Sequence, residues 1–168
     1  AITTQLRGLL GEEITVRAAD RDLHSGSFGG LAANPIQVLV NALATVKDDS
    51  GRITLPGFYD GVEELSDQLR ADWESLGFDA GDFLSSVGLK HPVGERGRMA
   101  LEMVWNRPTF EINGITGGYT GEGFKTVLPA EARAKVSFRL TGTQDPQAIR
   151  EAFRAHVRAC LLYTSPSP

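Results

Sequence analysis

The sequence is poor in the residues that most directly indicate a disulfide framework, a zinc site or a membrane span. It has one cysteine, Cys160, and three widely separated histidines, which are His24, His91 and His156. A lone cysteine excludes an internal disulfide and is typical of a reducing compartment, so we expect a cytoplasmic protein. The histidines lack the spacing of a zinc site, and no apolar run approaches the length of a membrane span.

An excess of positive charge is also absent. The chain has 17 lysines and arginines against 21 aspartates and glutamates, which gives a net charge of −4. Partners such as nucleic acid or an anionic membrane need a basic face, so neither is expected. The 168 residues are 41% hydrophobic, which is enough for the core of one ordinary globular domain.

One run of residues carries most of the chemical information. Between Arg21 and Pro35 it places His24 beside serine hydroxyls and three glycines, namely Gly26, Gly29 and Gly30. Glycine lets the backbone approach a ligand closely, and the start of a helix favours negative charge. Histidine can donate to a developing anion. We therefore predict that His24 faces an oxyanion, the alternative being a histidine that only caps its own loop.

A second glycine-rich segment, residues 117–126, nearly matches a phosphate-binding loop. It departs from that motif because Phe124 separates Gly123 from Lys125, and because Val-Leu-Pro follows where the motif needs a helix. A nucleotide site is therefore disfavoured. A serine nucleophile is disfavoured as well, since the serines near His24 lack a strand-to-helix elbow. Thr126, at the end of this segment, remains a candidate binding residue.

Two further polar residues are candidates for the same site. Arg139 interrupts a strand face that is otherwise small and apolar, and its guanidinium matches a carboxylate. The alternative for Arg139 is a surface ion pair. Asp22 is expected either to orient the ring of His24 or to pair with Arg21.

The order of elements predicts the fold class. Strands are expected at residues 2–9, 12–19, 109–115 and 132–140. The first two could instead form one long bent strand, broken at Gly11. Asn34 and Pro35 begin one helix, with an apolar stripe of Ile36, Leu39, Val40, Leu43 and Val46, and Asp145-Pro146 begins another, with Ile149, Phe153 and Val157 on one face. This order is typical of an α+β two-layer sandwich, an antiparallel sheet with helices on one face.

Two segments stand outside that pattern. Residues 58–105 carry weaker helical periodicity, with Val62, Leu65, Leu69, Trp73 and Leu76 at helical spacing, and are predicted to be an insertion within the domain of residues 1–160. Residues 161–168 contain two prolines and are expected to be a non-native tail. A closing strand of the sheet is expected where this tail lies, so we expect the chain to be a fragment.

Several ordered motifs together resemble one family. They are Asp-Leu-His-Ser-Gly-x-Phe-Gly-Gly at 22–30, Asn-Pro at 34–35, Leu-Pro-Gly-Phe-Tyr-Asp at 55–60, and matching segments within 110–140. They are similar to the dimerisation, or lid, domain of the co-catalytic zinc metallopeptidases that include carnosinase-like dipeptidases, aminoacylase, carboxypeptidase G and succinyl-diaminopimelate desuccinylase. The resemblance covers nearly all of residues 1–160.

The resemblance implies a ferredoxin-like lid with a four-stranded antiparallel sheet and two helices, which pairs with a second lid to form a homodimer. It implies that a separate catalytic domain of the same polypeptide holds two zinc ions and a general-base glutamate. None of those ligands matches a position here, so no metal site is expected in this chain, which alone would be inactive.

The resemblance also implies roles for three residues. His24 would reach the partner subunit's active site and stabilise the oxyanion, Thr126 would contact substrate, and Arg139 would bind the terminal carboxylate of a small peptide or N-acyl amino acid. Both glycine-rich loops and Arg139 are thus expected to converge on one anion-binding surface. The alternatives are a stand-alone domain that dimerises or binds small carboxylates, and a degenerate homologue, which the intact His24, Thr126 and Arg139 disfavour.

Overall fold

The computed structural model describes residues 6–162, which form five strands and six helices. The strands are β1 (Gly8–Arg17), β2 (Leu23–His24), β3 (Thr109–Gly117), β4 (Val127–Leu128) and β5 (Glu131–Leu140). The helices are α1 (Ser25–Phe28), α2 (Pro35–Ala44), α3 (Asp67–Glu74), α4 (Ala80–Ser85), α5 (Ala100–Trp105) and α6 (Pro146–Leu162). The protein is therefore a mixed α/β domain, as the sequence predicted.

The main sheet has the strand order β1-β5-β3, and both pairs are antiparallel. Alternate residues of β5 point into the core, because Ala132, Ala134, Val136, Phe138 and Leu140 are all buried. The residues between them, including Arg139, lie on the opposite, open face. Of the two predicted alternatives, the single strand is present, but β1 continues through Gly11 without the predicted break.

Helices α2 and α6 pack against each other and cover one face of the sheet. Asn34 caps α2, its side-chain oxygen accepting a hydrogen bond from the Ile36 N–H at 3.0 Å. The predicted apolar stripe of α2 needs one correction: Val40 is 42% exposed, whereas Val38 is buried. The predicted face of α6 is confirmed, since Ile149, Phe153 and Val157 are buried.

The segment between α2 and β3 contains the short helices α3, α4 and α5. A predicted helix through residues 62–76 is shorter than expected, because Ser66 caps α3 and begins it only at Asp67. A partly buried ionic network holds this segment together: Glu102 is fully buried and accepts from Arg98, at 2.7 Å, and from Arg70. Arg107, also buried, pairs with Glu95 at 2.6 Å.

The main sheet has three strands within residues 6–162, whereas the resemblance implies a four-stranded sheet whose closing strand was expected to be missing from this chain. The second small sheet, β2-β4, is a two-residue pairing and not the predicted closing strand. Helix α6 runs through Leu162, two residues beyond the predicted domain boundary, and the remaining predicted tail, 163–168, lies outside the described residues. None of the helices described is long and apolar enough to cross a bilayer.

Candidate functional site

The small sheet β2-β4 brings the two glycine-rich loops together. His24 pairs with Val127 across this sheet, and the Ser25 N–H donates to the carbonyl oxygen of Thr126 at 3.0 Å. These backbone contacts place the His24 ring next to the Thr126 side chain, with 3.2 Å between Nε2 and Oγ1. Both residues are exposed. The predicted association of His24 with Thr126 is therefore present in the structure.

The hydrogen bonds of the His24 ring determine which nitrogen can donate. Nδ1 accepts a hydrogen bond from the Gly26 N–H at 3.0 Å, so in the neutral imidazole the proton resides on Nε2. Nε2–H then points toward the Thr126 hydroxyl at the surface. The ring is thus both the cap of α1 and an available donor, so the two alternatives for His24 coexist.

Gly26 is required by this arrangement. A Cβ atom at this position would lie 2.6 Å from Cε1 of His24, a separation that real Cβ atoms do not show. The ring therefore occupies the space that a side chain at position 26 would fill. The sequence predicted that these glycines let the backbone approach a ligand closely. In the structure, the backbone at Gly26 lies close to the ring of His24.

Asp22 takes neither of the two roles predicted for it. Its Oδ1 atom accepts a hydrogen bond from the Ala130 N–H at 2.9 Å, which fastens the His24 loop to the start of β5. No bond from Asp22 to the His24 ring or to Arg21 occurs among the described contacts. Asp22 therefore positions the loop rather than the imidazole.

The segment that resembles a phosphate-binding loop leads into a strand. β3 ends at Gly117 and β4 follows at Val127, so no helix begins after Lys125. The Tyr119 hydroxyl donates to the Glu122 carbonyl at 2.8 Å, and its ring occupies the space a Cβ at Gly121 would need. Gly121 thus leaves room for a turn that closes around Tyr119.

Arg139 lies at the other end of the sheet. The His24 loop is fastened at Ala130, beside the first residue of β5, whereas Arg139 is the ninth residue of that strand. Eight residues of strand span about 26 Å. The predicted convergence of Arg139 with both loops on one surface is therefore wrong within a single copy, because the extended strand holds them apart.

Among the described residues, Arg139 also lacks the carboxylate partner that a surface ion pair, the alternative prediction for this residue, requires. Its guanidinium forms no ion pair or hydrogen bond among the contacts within residues 6–162, whereas Arg133, on the same face, pairs with Glu131 at 2.7 Å. An exposed guanidinium without a carboxylate neighbour is free to bind an external anion.

The described residues contain no metal-binding arrangement. In the part of the chain that the structure describes, no three histidine, cysteine, aspartate or glutamate side chains are grouped so that they could hold a metal ion. The remaining histidines do not join the site: His156 lies in the contact between α2 and α6, 2.9 Å from the Thr45 hydroxyl.

One residue near Arg139 was not identified from the sequence. Arg7, immediately before β1, donates from Nη1 to the carbonyl oxygens of Met103 and Arg107, both at 3.4 Å. Burial lowers the pKa of the Arg7 guanidinium, and the positive charge of Arg139 lowers it further. Only the pairing of β1 with β5 brings these two arginines together, so local sequence gave no signal for it.

Comparisons with known proteins give a consistent result. A family model described as a peptidase dimerisation domain matches residues 4–162. The chain is 31% identical to the Cys-Gly metallodipeptidase of Candida albicans over 156 residues, which cover 93% of this chain and 32% of that relative. It is 31% identical to the human Beta-Ala-His dipeptidase over 157 residues, which cover 94% of this chain and 31% of that relative.

Solved structures agree with the sequence comparisons. The crystal structure of human carnosine dipeptidase 1 superposes with a TM-score of 0.85 at 28% identity, covering 96% of this chain and 34% of that one. An M20 family metallo-carboxypeptidase from Sulfolobus solfataricus gives a TM-score of 0.81 at 33% identity, covering 92% and 40% of the two chains. The chain spans about a third of the length of the curated relatives it matches.

Proposed function

This chain belongs to the peptidase dimerisation domain family, and we propose that it serves a dimeric zinc-dependent dipeptidase. Relatives that match over nearly the whole chain are metallodipeptidases, and the chain corresponds to about a third of each. In this proposal the domain joins two subunits and supplies residues that contact substrate. A catalytic domain of the same polypeptide would hold two zinc ions, and these would supply the activation of water for hydrolysis of the peptide bond. The lone cysteine favours the cytoplasm as its compartment.

The proposal includes a fourth strand beside β1. Within residues 6–162, β1 pairs with β5 on one side only, and α6 packs over β1 through bonds from Arg150 and Arg154 to Glu12. A strand following α6 would thus meet the free edge of β1 and give the four-stranded, ferredoxin-like order. Residues 58–105 are proposed to be an insertion within this domain.

The observation that carries the catalytic part is the contact between His24 and Thr126. With Nδ1 occupied by the Gly26 N–H, His24 presents Nε2–H beside a threonine hydroxyl at the surface. Two adjacent polar groups of this kind suit the oxyanion that forms when water attacks a peptide carbonyl. We assign His24 to oxyanion stabilisation, Thr126 to substrate contact, and Arg139 to the terminal carboxylate of the substrate.

The separation of these residues implies that two copies share each active site. A dipeptide spans roughly 7 Å, far less than the roughly 26 Å of strand between the His24 loop and Arg139. One copy therefore cannot contact both ends of one dipeptide. In the proposed homodimer, each active site takes His24 and Thr126 from one subunit and Arg139 from the other.

Mixed dimers test this arrangement. The full polypeptide would be co-expressed as two inactive variants, His24→Ala and Arg139→Ala. In a mixed dimer, one site has both substitutions and the other has neither, so dipeptidase activity should recover to about a quarter of wild type for random pairing. Two His24→Ala subunits, mixed in the same way, are the control and should stay inactive.

Failure to recover activity in purified mixed dimers would contradict the shared site. Absence of peptidase activity in the wild-type polypeptide would contradict the wider proposal. The second candidate function would then apply, a dimerisation domain that binds small carboxylates without catalysis. The unpaired guanidinium of Arg139 is as compatible with carboxylate binding alone as with dipeptide hydrolysis. A measurement of hydrolysis, and not of binding, therefore distinguishes the two functions.

A further inference from the structure

The open face of the sheet carries two arginines whose charges are close together. Arg7 lies two residues before Leu9, which is the register partner of Arg139 on β1. Its guanidinium reaches the carbonyl oxygen of Arg107, which lies two residues before Thr109, the register partner of Arg139 on β3. Because β5 lies between β1 and β3, the Arg7 side chain crosses the end of β5 at the level of Thr141, two residues beyond Arg139. Residues two apart in a strand lie on the same face of a sheet, so Arg7 is a diagonal neighbour of Arg139.

Neither arginine is neutralised by the protein. Among the ion pairs within residues 6–162, none involves Arg7 or Arg139. Two like charges held close together repel each other unless an anion lies between them. Burial lowers the pKa of Arg7, and the nearby charge of Arg139 lowers it further.

Arg7 is also oriented for binding. Two backbone carbonyls occupy the N–H groups of its Nη1 atom, which fixes the guanidinium in place. The N–H groups of Nε and Nη2 remain, and together they form the edge that binds a carboxylate through two parallel hydrogen bonds. A side chain held in advance loses less conformational entropy when a ligand binds.

We propose that Arg7 and Arg139 together form the carboxylate site, with Arg7 as a second guanidinium that binds the same terminal carboxylate. The inference rests on the proposed function for the identity of the ligand, a dipeptide with a free C-terminus. Arg139 supplies an exposed charge without an ion pair among the described contacts, and Arg7 supplies one held by two carbonyls, so the pair selects substrates that end in a carboxylate over those that end in an amide.

The test compares a dipeptide with its C-terminal amide in the full polypeptide. Arg7→Gln should raise KM for the free dipeptide about tenfold, which is typical of losing a charge-assisted hydrogen bond, and leave KM for the amide within about twofold. Arg7→Lys should recover part of the loss. Lys135→Gln is the matched control, because it removes one positive charge from the same face of β5 and should change neither KM.

The double variant shows whether one carboxylate binds both arginines. Effects of Arg7→Gln and Arg139→Gln should be clearly less than multiplicative when combined. Equal increases in KM for the dipeptide and the amide, or unchanged values for both, would overturn the proposal, the first outcome indicating a merely structural Arg7.

A binding measurement separates this proposal from the proposed function. Calorimetric titration of the metal-free polypeptide should show tighter binding of the dipeptide than of the amide, and Arg7→Gln should abolish most of that difference. This preference, found in a polypeptide that hydrolyses neither compound when it is assayed with zinc restored, would refute the dipeptidase function and retain the arginine pair. No preference in the wild type would refute the pair.

Discussion

The Nε2 atom of His24 lies 3.2 Å from the Oγ1 atom of Thr126, although 102 positions separate the two residues in the chain. The contact depends on a sheet of only two residues per strand and on one side-chain anchor, from Asp22 to the start of β5. A small number of backbone contacts therefore fixes the geometry of the proposed oxyanion site.

Replacement of His24 by alanine should lower kcat of the full polypeptide and leave KM nearly unchanged. Loss of one oxyanion donor typically reduces kcat roughly a hundredfold to a thousandfold. Steady-state kinetics with a dipeptide measures the effect, and zinc content should match the wild type. His91→Ala is the control, because His91 is exposed in the insertion and should be neutral. An unchanged kcat for His24→Ala would exclude the oxyanion role.

Alanine at position 26 should affect catalysis without removing any catalytic group. Its Cβ would lie 2.6 Å from Cε1 of His24, so the ring must move away from its present position. We expect a fall in kcat of at least about tenfold, because small displacements of catalytic groups are costly. Gly11→Ala is the control, since a Cβ there meets nothing within 4 Å. Wild-type kinetics for Gly26→Ala would show that the ring position is unimportant.

Alanine at position 142 should destabilise the fold strongly. Gly142 has φ of +59° and packs against the carbonyl oxygen of Gly61, which an alanine Cβ would overlap. Gly77, with φ of +62° and open space around it, is the matched control. Gly77→Ala should cost about 1 kcal/mol from the backbone alone, and Gly142→Ala clearly more. Urea unfolding of both variants checks this, and equal losses would show that the contact with Gly61 relaxes easily.

Acid should weaken the attachment of α6 to β1. Glu12 accepts hydrogen bonds from Arg150 at 2.7 Å and from Arg154 at 2.8 Å. Burial raises the pKa of Glu12, but the bonds from Arg154 and Arg150 outweigh it, so the net shift is downward. A lowered folded-state pKa means that the stabilisation is complete above the unfolded pKa, about 4.3, and is lost as pH falls through the folded value.

Stability measured between about pH 5 and pH 2 should therefore fall more in the wild type than in Glu12→Gln, by about 1 kcal/mol. The magnitude is modest because both arginines remain partly exposed. Glu13→Gln, a substitution at the exposed neighbour, should follow the wild-type curve. Identical acid profiles for Glu12→Gln and the wild type would contradict this linkage.

Local periodicity predicted the elements that pack with regular spacing. The alternation along β5 and the 3.6-residue stripe of α6 are confirmed, because burial of one face determines both patterns. In α2 the sequence is apolar on more than one side, so it did not show that Val38 rather than Val40 packs inward.

Long-range features were harder to predict. The pairing of His24 with Thr126 followed from the two glycine-rich loops and the family resemblance, but the distance of Arg139 from them depends on strand length and register. The burial of Glu102 was not predicted either, because one of its two arginine partners, Arg70, lies 32 positions away and a charged residue by itself predicts a solvated surface.

The Arg107 guanidinium lies over the ring of Tyr59, 5.3 Å from its centroid, so the chain leaves the core and returns to it at nearly the same point. We therefore expect the segment between these residues to be an insertion whose two ends lie close together. Excision of this segment with a short linker should leave the strand order and both covering helices connected as before, but it would remove the Met103 carbonyl that Arg7 contacts. We therefore expect insertions and deletions of residues to be tolerated better in this segment than in the strands of the main sheet or in α2 and α6.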